Sequence, residues 1–122
     1  MYELENLETW KKARELRIAI SKFAKTLPDE ERYKLKNQIL RSSRSVAANI
    51  AEGYGRFYFQ ETIHFCRQAR GSLYETQEHL ICALDEGYIQ KEEYDQLIIL
   101  LKDCLKILNG YISYLKKEKT KN

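Results

Sequence analysis

Glu75, His79 and Cys82 stand at i, i+4 and i+7, a spacing that puts a carboxylate, an imidazole and a thiol on one helical face, where the three together could hold a transition metal. The rest of the chain does not support such a site. No second pair of ligands appears, His64 lies fifteen residues before His79, and no His-Glu-x-x-His run surrounds either histidine. The expectation is a surface or interface histidine beside a core cysteine, with no metal and no cofactor. Nucleophilic chemistry is no better supported, because Ser42, Ser43 and Ser45 fall inside a helical run with no sharp strand-to-helix turn and no histidine nearby in sequence. Gly53-x-Gly55 lacks a preceding strand and a following Lys-Ser/Thr pair, so it reads as a helix end entering the left-handed backbone region, not as a phosphate cradle. No catalytic residue is assigned.

Two polar sets remain. Arg41, Arg44, Ser45, Asn49 and Glu52 face Arg70, Ser72 and Glu75 across two helical runs, and polar groups lodged between helices need partners. Asn49, Glu52, Arg70 and Glu75 are therefore read as a structural polar network that fixes helix register, with direct contact to a ligand or partner as the alternative. The second set is basic. Lys11, Lys12, Arg14, Arg41, Arg44 and Arg56, interleaved with Trp10, Tyr33, Tyr54 and Phe57, are candidate nucleic-acid contacts, since cations neutralise phosphates and aromatic rings stack on unpaired bases. Solvated lysines on an ordinary helix exterior would give the same pattern. Net charge is only +3, but Trp10 to Arg44 holds eleven basic against four acidic residues, and Glu61 to Asp103 nine acidic against four basic. Such a dipolar chain can bind a polyanion, or pair its basic face with the acidic face of a neighbouring copy.

The elements that must position these residues follow from periodicity. With 122 residues, 43% hydrophobic and 32% charged, the chain suits one soluble domain. No apolar run approaches the roughly 20 residues that cross a bilayer. The acidic, polar start Tyr2-Glu3-Leu4-Glu5-Asn6 lacks the features of a secretory signal, so a cytoplasmic location and no membrane partner are expected. Three cysteines without a Cys-x-x-Cys pair read as reduced thiols.

Four helices are predicted, over about residues 7–27, 31–52, 60–86 and 91–116, with a frayed basic tail at 117–122. Leu7, Trp10, Ala13, Arg17 and Ile20 form the first inner stripe behind an Asn6 cap. Pro28 interrupts it, and Asp29, Glu30 and Glu31 suit the first turn of the second helix, whose inner face is Leu35, Ile39, Ser42, Val46 and Ile50. Gly87-Tyr88 suits a Schellman ending for the third. Short connections between long helices imply an all-α, antiparallel up-down-up-down four-helix bundle. Gly71 and Gly110 lie inside helices at about 1 kcal/mol each. Close approach of another backbone would explain them, and so would simple tolerance.

Leu7-Glu8-Thr9-Trp10-Lys11-Lys12-Ala13, the Asn49-Ile50-Ala51-Glu52-Gly53 centre of the Arg44 to Arg56 stretch, Ala69-Arg70-Gly71-Ser72-Leu73-Tyr74-Glu75 and Gly87-Tyr88 carry a resemblance over nearly the whole chain. The chain resembles the bacterial four-helix-bundle family of the proteins encoded within intervening sequences of large-subunit ribosomal RNA genes. That family is similar to the accessory protein of diversity-generating retroelements, a pentameric barrel that works with a reverse transcriptase and nucleic acid. The resemblance implies a homopentamer without enzymatic activity. Two departures are visible: Gln90 replaces the usual serine cap of the fourth helix, and Arg56-Phe57-Tyr58-Phe59 makes the second loop unusually aromatic. The expected function is a non-catalytic, homo-oligomeric scaffold binding RNA or DNA through its basic surface. The alternative is a protein-interaction module that docks an enzyme such as a reverse transcriptase without touching nucleic acid.

Overall fold

A computed structural model describes residues 3–121; Met1, Tyr2 and Asn122, the last residue of the basic tail, lie outside the described residues. The described residues form four α-helices: α1 (Glu8–Ala24), α2 (Leu35–Tyr54), α3 (Phe59–Asp85) and α4 (Lys91–Thr120). Two short 3-10 turns, Leu4–Asn6 and Asp29–Glu31, precede α1 and α2, and the described residues contain no strand. Helix α1 packs against α2 and α4, and α3 packs against the same two, so the four helices surround one core. Leu16, Ile20, Ile39, Val46, Ile50, Ile63, Leu73, Leu80, Leu101 and Leu108 are fully enclosed in it. Each such side chain contributes about 1.5–3 kcal/mol by leaving water.

The helix ends differ from expectation for local reasons. Asn6 does not cap α1: it closes the first 3-10 turn, and the cap residue is Leu7, whose carbonyl accepts from the Lys11 N–H at 2.9 Å. Helix α1 stops at Ala24, where the Thr26 hydroxyl donates to the Phe23 carbonyl at 2.7 Å and competes with helix continuation. Its inner face uses Leu16, fully buried, where the sequence stripe placed Arg17, which is half-buried. The acidic run does not enter the first turn of α2 but forms its own 3-10 turn. Glu31 still serves that helix, with one carboxylate oxygen accepting from the Leu35 N–H at 3.3 Å and the other from the Tyr88 hydroxyl at 2.9 Å. The described part of the basic tail is helical up to Thr120, where α4 ends, and Lys119 reaches Gln60 at the start of α3.

Neither Gly53 nor Gly55 is left-handed, contrary to the sequence reading. Gly53 lies within α2, Gly55 caps it at φ −79°, and Gly87 at φ +76° is the one positive-φ residue described. There the Schellman ending forms as expected: the Gly87 N–H donates to the Leu84 carbonyl at 3.1 Å and the Tyr88 N–H to that of Ala83 at 2.9 Å. Gly53 answers a different need. A Cβ added to it would stand 2.9 Å from the Phe65 Cβ and 3.1 Å from the Thr62 carbonyl oxygen, while the Thr62 hydroxyl donates to the Gly53 carbonyl at 2.9 Å. Above this crossing, contacts run in opposite chain directions, with Ser45 meeting Ser72 and Arg41 meeting Glu75. Between α3 and α4, Arg70 meets Asn109 and Gln60 meets Lys119 in the same opposed sense. Gly71 and Gly110 face open space, so no backbone of this chain requires either.

Two stability measurements follow. Gly53→Ala is expected to cost about 1–3 kcal/mol by overpacking, whereas Gly71→Ala and Gly110→Ala gain up to about 1 kcal/mol from helix propensity. Urea unfolding checks all three, and a Gly53→Ala protein as stable as the parent would contradict the close crossing. The Glu31 carboxylate raises the Tyr88 hydroxyl to about 12, so the folded chain keeps a proton that the unfolded chain releases near pH 10. The unfolded state binds fewer protons between these values, and stability falls as pH rises through them. Tyr88→Phe should therefore be less stable than the parent at pH 8, with the difference closing toward pH 12 in thermal melts followed by circular dichroism. Tyr111, which burial raises to about 12, titrates alike in both proteins.

Candidate nucleic-acid interface

An open groove of about 480 Å³ runs along the seam of α1 and α2, lined by Trp10, Arg17, Arg44, Ala47, Ala48 and Ala51. Its shape follows from the sequence. Trp10 and Arg17 are two helical turns apart on α1, and Arg44, Ala48 and Ala51 share one stripe of α2. The alanines reach no further than Cβ, so the seam beside the core stays unfilled. Trp10 borders the groove half-buried, and the Arg14 guanidinium lies 5.7 Å from its ring centroid, within cation–π range.

The six candidate basic residues differ in what surrounds them. Lys11 pairs with Glu8 at 3.3 Å, Lys12 with Glu15 at 3.6 Å, Arg41 with Glu75 at 2.5 Å, and Arg56 with Glu52 at 2.9 Å. Arg56 also lies 4.8 Å from the Phe65 ring centroid. Among the described residues, Arg14 and Arg44 have no carboxylate within ion-pair distance, and neither has Arg17. Arg17 was absent from the sequence-derived set because its position fits the apolar stripe. An arginine at the edge of such a stripe was the available signal. Arg44 is the one sequence candidate that lines the groove; Lys11, Lys12, Arg14, Arg41 and Arg56 do not.

The expected polar network is divided rather than continuous. Asn49 donates to both the carbonyl and the hydroxyl of Ser45 at 2.9 Å, and Ser45 in turn accepts from the Ser72 hydroxyl of α3 at 2.9 Å. Glu75 meets Arg41 and His79, whose Nε2 is 3.2 Å from the same carboxylate oxygen. Arg70 instead donates to Asn109 of α4 at 2.9 Å, and Glu52 stays on its own helix with Arg56. Ser42 and Thr76 add a buried hydroxyl pair at 2.9 Å that the sequence did not single out as a contact. Every buried side-chain nitrogen or oxygen among the described residues has a partner.

His79 is buried, not the surface or interface histidine expected, and Cys82 is half-buried rather than core, its thiol directed at Glu78 at 3.4 Å. Glu75 and His79 therefore meet each other, but Cys82 does not join them, and the described residues form no group of three that could hold a metal. Burial pushes the Cys66 thiol up to about 11 and that of Cys104 up to about 12. Burial, followed by the Glu78 carboxylate, also raises Cys82. All three are poor nucleophiles near neutral pH. The hydroxyls of Ser42 and Ser43 are buried and donate to carbonyls of their own helix, Ile39 at 3.3 Å and Leu40 at 3.2 Å.

Among solved structures, the chain is similar to a protein of unknown function from the S23 ribosomal protein family of Bacteroides thetaiotaomicron. The two share 27% identity and superpose with a TM-score of 0.79, covering 85% of this chain and 97% of that one. No curated protein matches the chain. Residues 5–110, which include the groove and the α2–α3 crossing, match the family described as 23S rRNA-intervening sequence protein. The match spans most of the sequence, and the chain belongs to that family.

Proposed function

We propose that this protein is a non-catalytic helical scaffold that binds RNA or DNA through the basic surface around the α1–α2 groove. The observation that carries this reading is the placement of Arg17 and Arg44, neither opposed by a carboxylate, beside Trp10 in an open groove. Arg14 extends the cationic surface. Lys11, Lys12, Arg41 and Arg56 contribute less, because each must leave a carboxylate to meet a phosphate. Exposed pairs of this kind are worth only about 0–1 kcal/mol, so the exchange is inexpensive.

The opposed contacts of α2 with α3 and of α3 with α4 support an antiparallel, up-down-up-down bundle. Exposed apolar residues on α3 and α4, Tyr74 at 56%, Ile99 at 60% and Tyr114 at 55%, support association into a homo-oligomer. A pentamer is the assembly that the family resemblance implies, and the cytoplasm is the compartment in which such a scaffold would meet nucleic acid. Repetition of a weak basic site around one axis would raise affinity through avidity. A second reading rests on the loop between α2 and α3, where Phe57 and Tyr58 are 89% and 65% exposed and pack edge to face at 4.9 Å. That pair suits a protein partner, for instance a polymerase docked without direct contact to nucleic acid.

Retention of RNA and DNA at several salt concentrations tests the first reading. With about three phosphate contacts per site, affinity for a single strand should fall about twentyfold between 50 and 200 mM salt. Arg44→Gln and Arg14→Gln should each flatten that slope, and Lys11→Gln should change it little. Absence of retention at the lowest salt would leave the docking reading in its place.

A further inference from the structure

The geometry points to the α1–α2 groove as a pocket for one unpaired nucleotide of a single strand, with its base against Trp10 and the alanine floor and its flanking phosphates on Arg17 and Arg44. This assignment rests on the nucleic-acid reading above and adds the form of nucleic acid that is selected. Three features support it.

The first is size. A volume of about 480 Å³ lies within the range of about 300–1,000 Å³ typical of small-ligand sites, and a groove of that size admits a base with its sugar but not a duplex. The second is shape. Ala47, Ala48 and Ala51 make a floor of methyl groups, and Trp10 supplies an indole at the border, a surface on which a flat ring can lie. A paired base keeps its faces stacked on its neighbours, so only an unpaired one can offer a face to the indole. Two helical turns separate Trp10 from Arg17, about 10 Å along the axis, which brings a phosphate attached to the stacked nucleotide within reach of the long arginine side chains.

The third feature separates this ligand from a peptide. Guanidinium and indole groups donate hydrogen bonds and accept none, and alanine side chains do neither. The lining side chains therefore form a donor-only surface. A peptide backbone laid in the groove would bring N–H groups that find no acceptor there, at a cost for each one left unmade. A phosphodiester strand presents acceptors in its backbone and matches this lining. Arginine also meets phosphate with two parallel hydrogen bonds and keeps its charge at any working pH.

Trp10 is the single tryptophan of the chain, so intrinsic fluorescence reports on this groove. The full-length protein is titrated at low salt with a single-stranded oligoribonucleotide of no internal pairing, with the same sequence as a duplex, and with an acidic peptide, while gel retardation measures binding independently. The expected result is quenching by the single strand, at least tenfold tighter binding of it than of the duplex, and no quenching by the peptide. Arg17→Gln with Arg44→Gln should lower single-strand affinity at least tenfold and remove the quenching, with Lys91→Gln, an exposed position at the start of α4 outside the groove, as the unaffected control. Should the double variant fail to fold by circular dichroism, Arg17→Lys with Arg44→Lys keeps both charges but loses the paired hydrogen bonds, and a threefold or greater loss is then expected. Equal binding of both forms without a fluorescence change would overturn the pocket and leave the nucleic-acid reading intact. Binding of neither form would overturn both. Quenching by the acidic peptide without quenching by the oligonucleotide would reassign the groove to a protein partner.

Discussion

The crossing of α2 and α3 at Gly53 governs the rest of the structure. Without a Cβ at that position, Thr62 comes close enough to donate its hydroxyl to the Gly53 carbonyl at 2.9 Å. Farther along the same seam, Ser45 meets Ser72 and Ser42 meets Thr76, each at 2.9 Å. Small hydroxyl residues thus bring two backbones close and satisfy one another where water is excluded. Because α2 is held tightly on this side, its other side is presented to α1 in a defined orientation. Small residues are used there too, but the outcome is opposite. Ala47, Ala48 and Ala51 carry no polar group to close the seam, and the large side chains beside them, Trp10, Arg17 and Arg44, stand at its borders. One face of α2 therefore seals the bundle, and the other leaves it open.

This division explains what could be read from the chain before its fold was known. Apolar spacing was sufficient for the four helices and most of their inner faces, because burial imposes a 3.6-residue period that few other structures share. Their ends depended on contacts that spacing does not encode. Helix α2 begins four residues late because Glu31 serves both Leu35 and Tyr88, the latter in the connection just beyond α3. Gly53 resembled a helix stop, since a glycine pair near the end of a periodic run usually marks one. Its requirement comes from Thr62 and Phe65 on another helix. Arg17 was hidden for a related reason, as adjacent residues differ by only 100° around a helix and Leu16 took the core position instead.

The candidate site was less legible than the fold, because a list of basic residues does not show which are already engaged. The Lys11–Glu8 and Arg56–Glu52 pairs are local, three and four residues apart, and a sequence can suggest them. The Arg41–Glu75 pair spans 34 residues and joins two helices. Once these are set aside, Arg14 and Arg44 are the sequence candidates left without a carboxylate, and Arg44 converges with Arg17 on the groove. The fold thus concentrates a charge that the sequence spreads over two helices.

The uneven charge of the chain permits two uses of the basic side, and they exclude each other. If the acidic side of a neighbouring copy lay against α1 and α2, its carboxylates would occupy the Arg17 and Arg44 guanidiniums and close the groove. Association through the exposed apolar residues of α3 and α4, Tyr74, Ile99 and Tyr114, would bury surface that gains from leaving water and would keep the groove free. The apolar route also avoids stripping water from opposed charges, whose mutual attraction repays that cost only in favourable geometry. Charge asymmetry alone is neutral between the two arrangements, and it is the location of the uncharged surface that favours the one in which each copy offers its own basic groove.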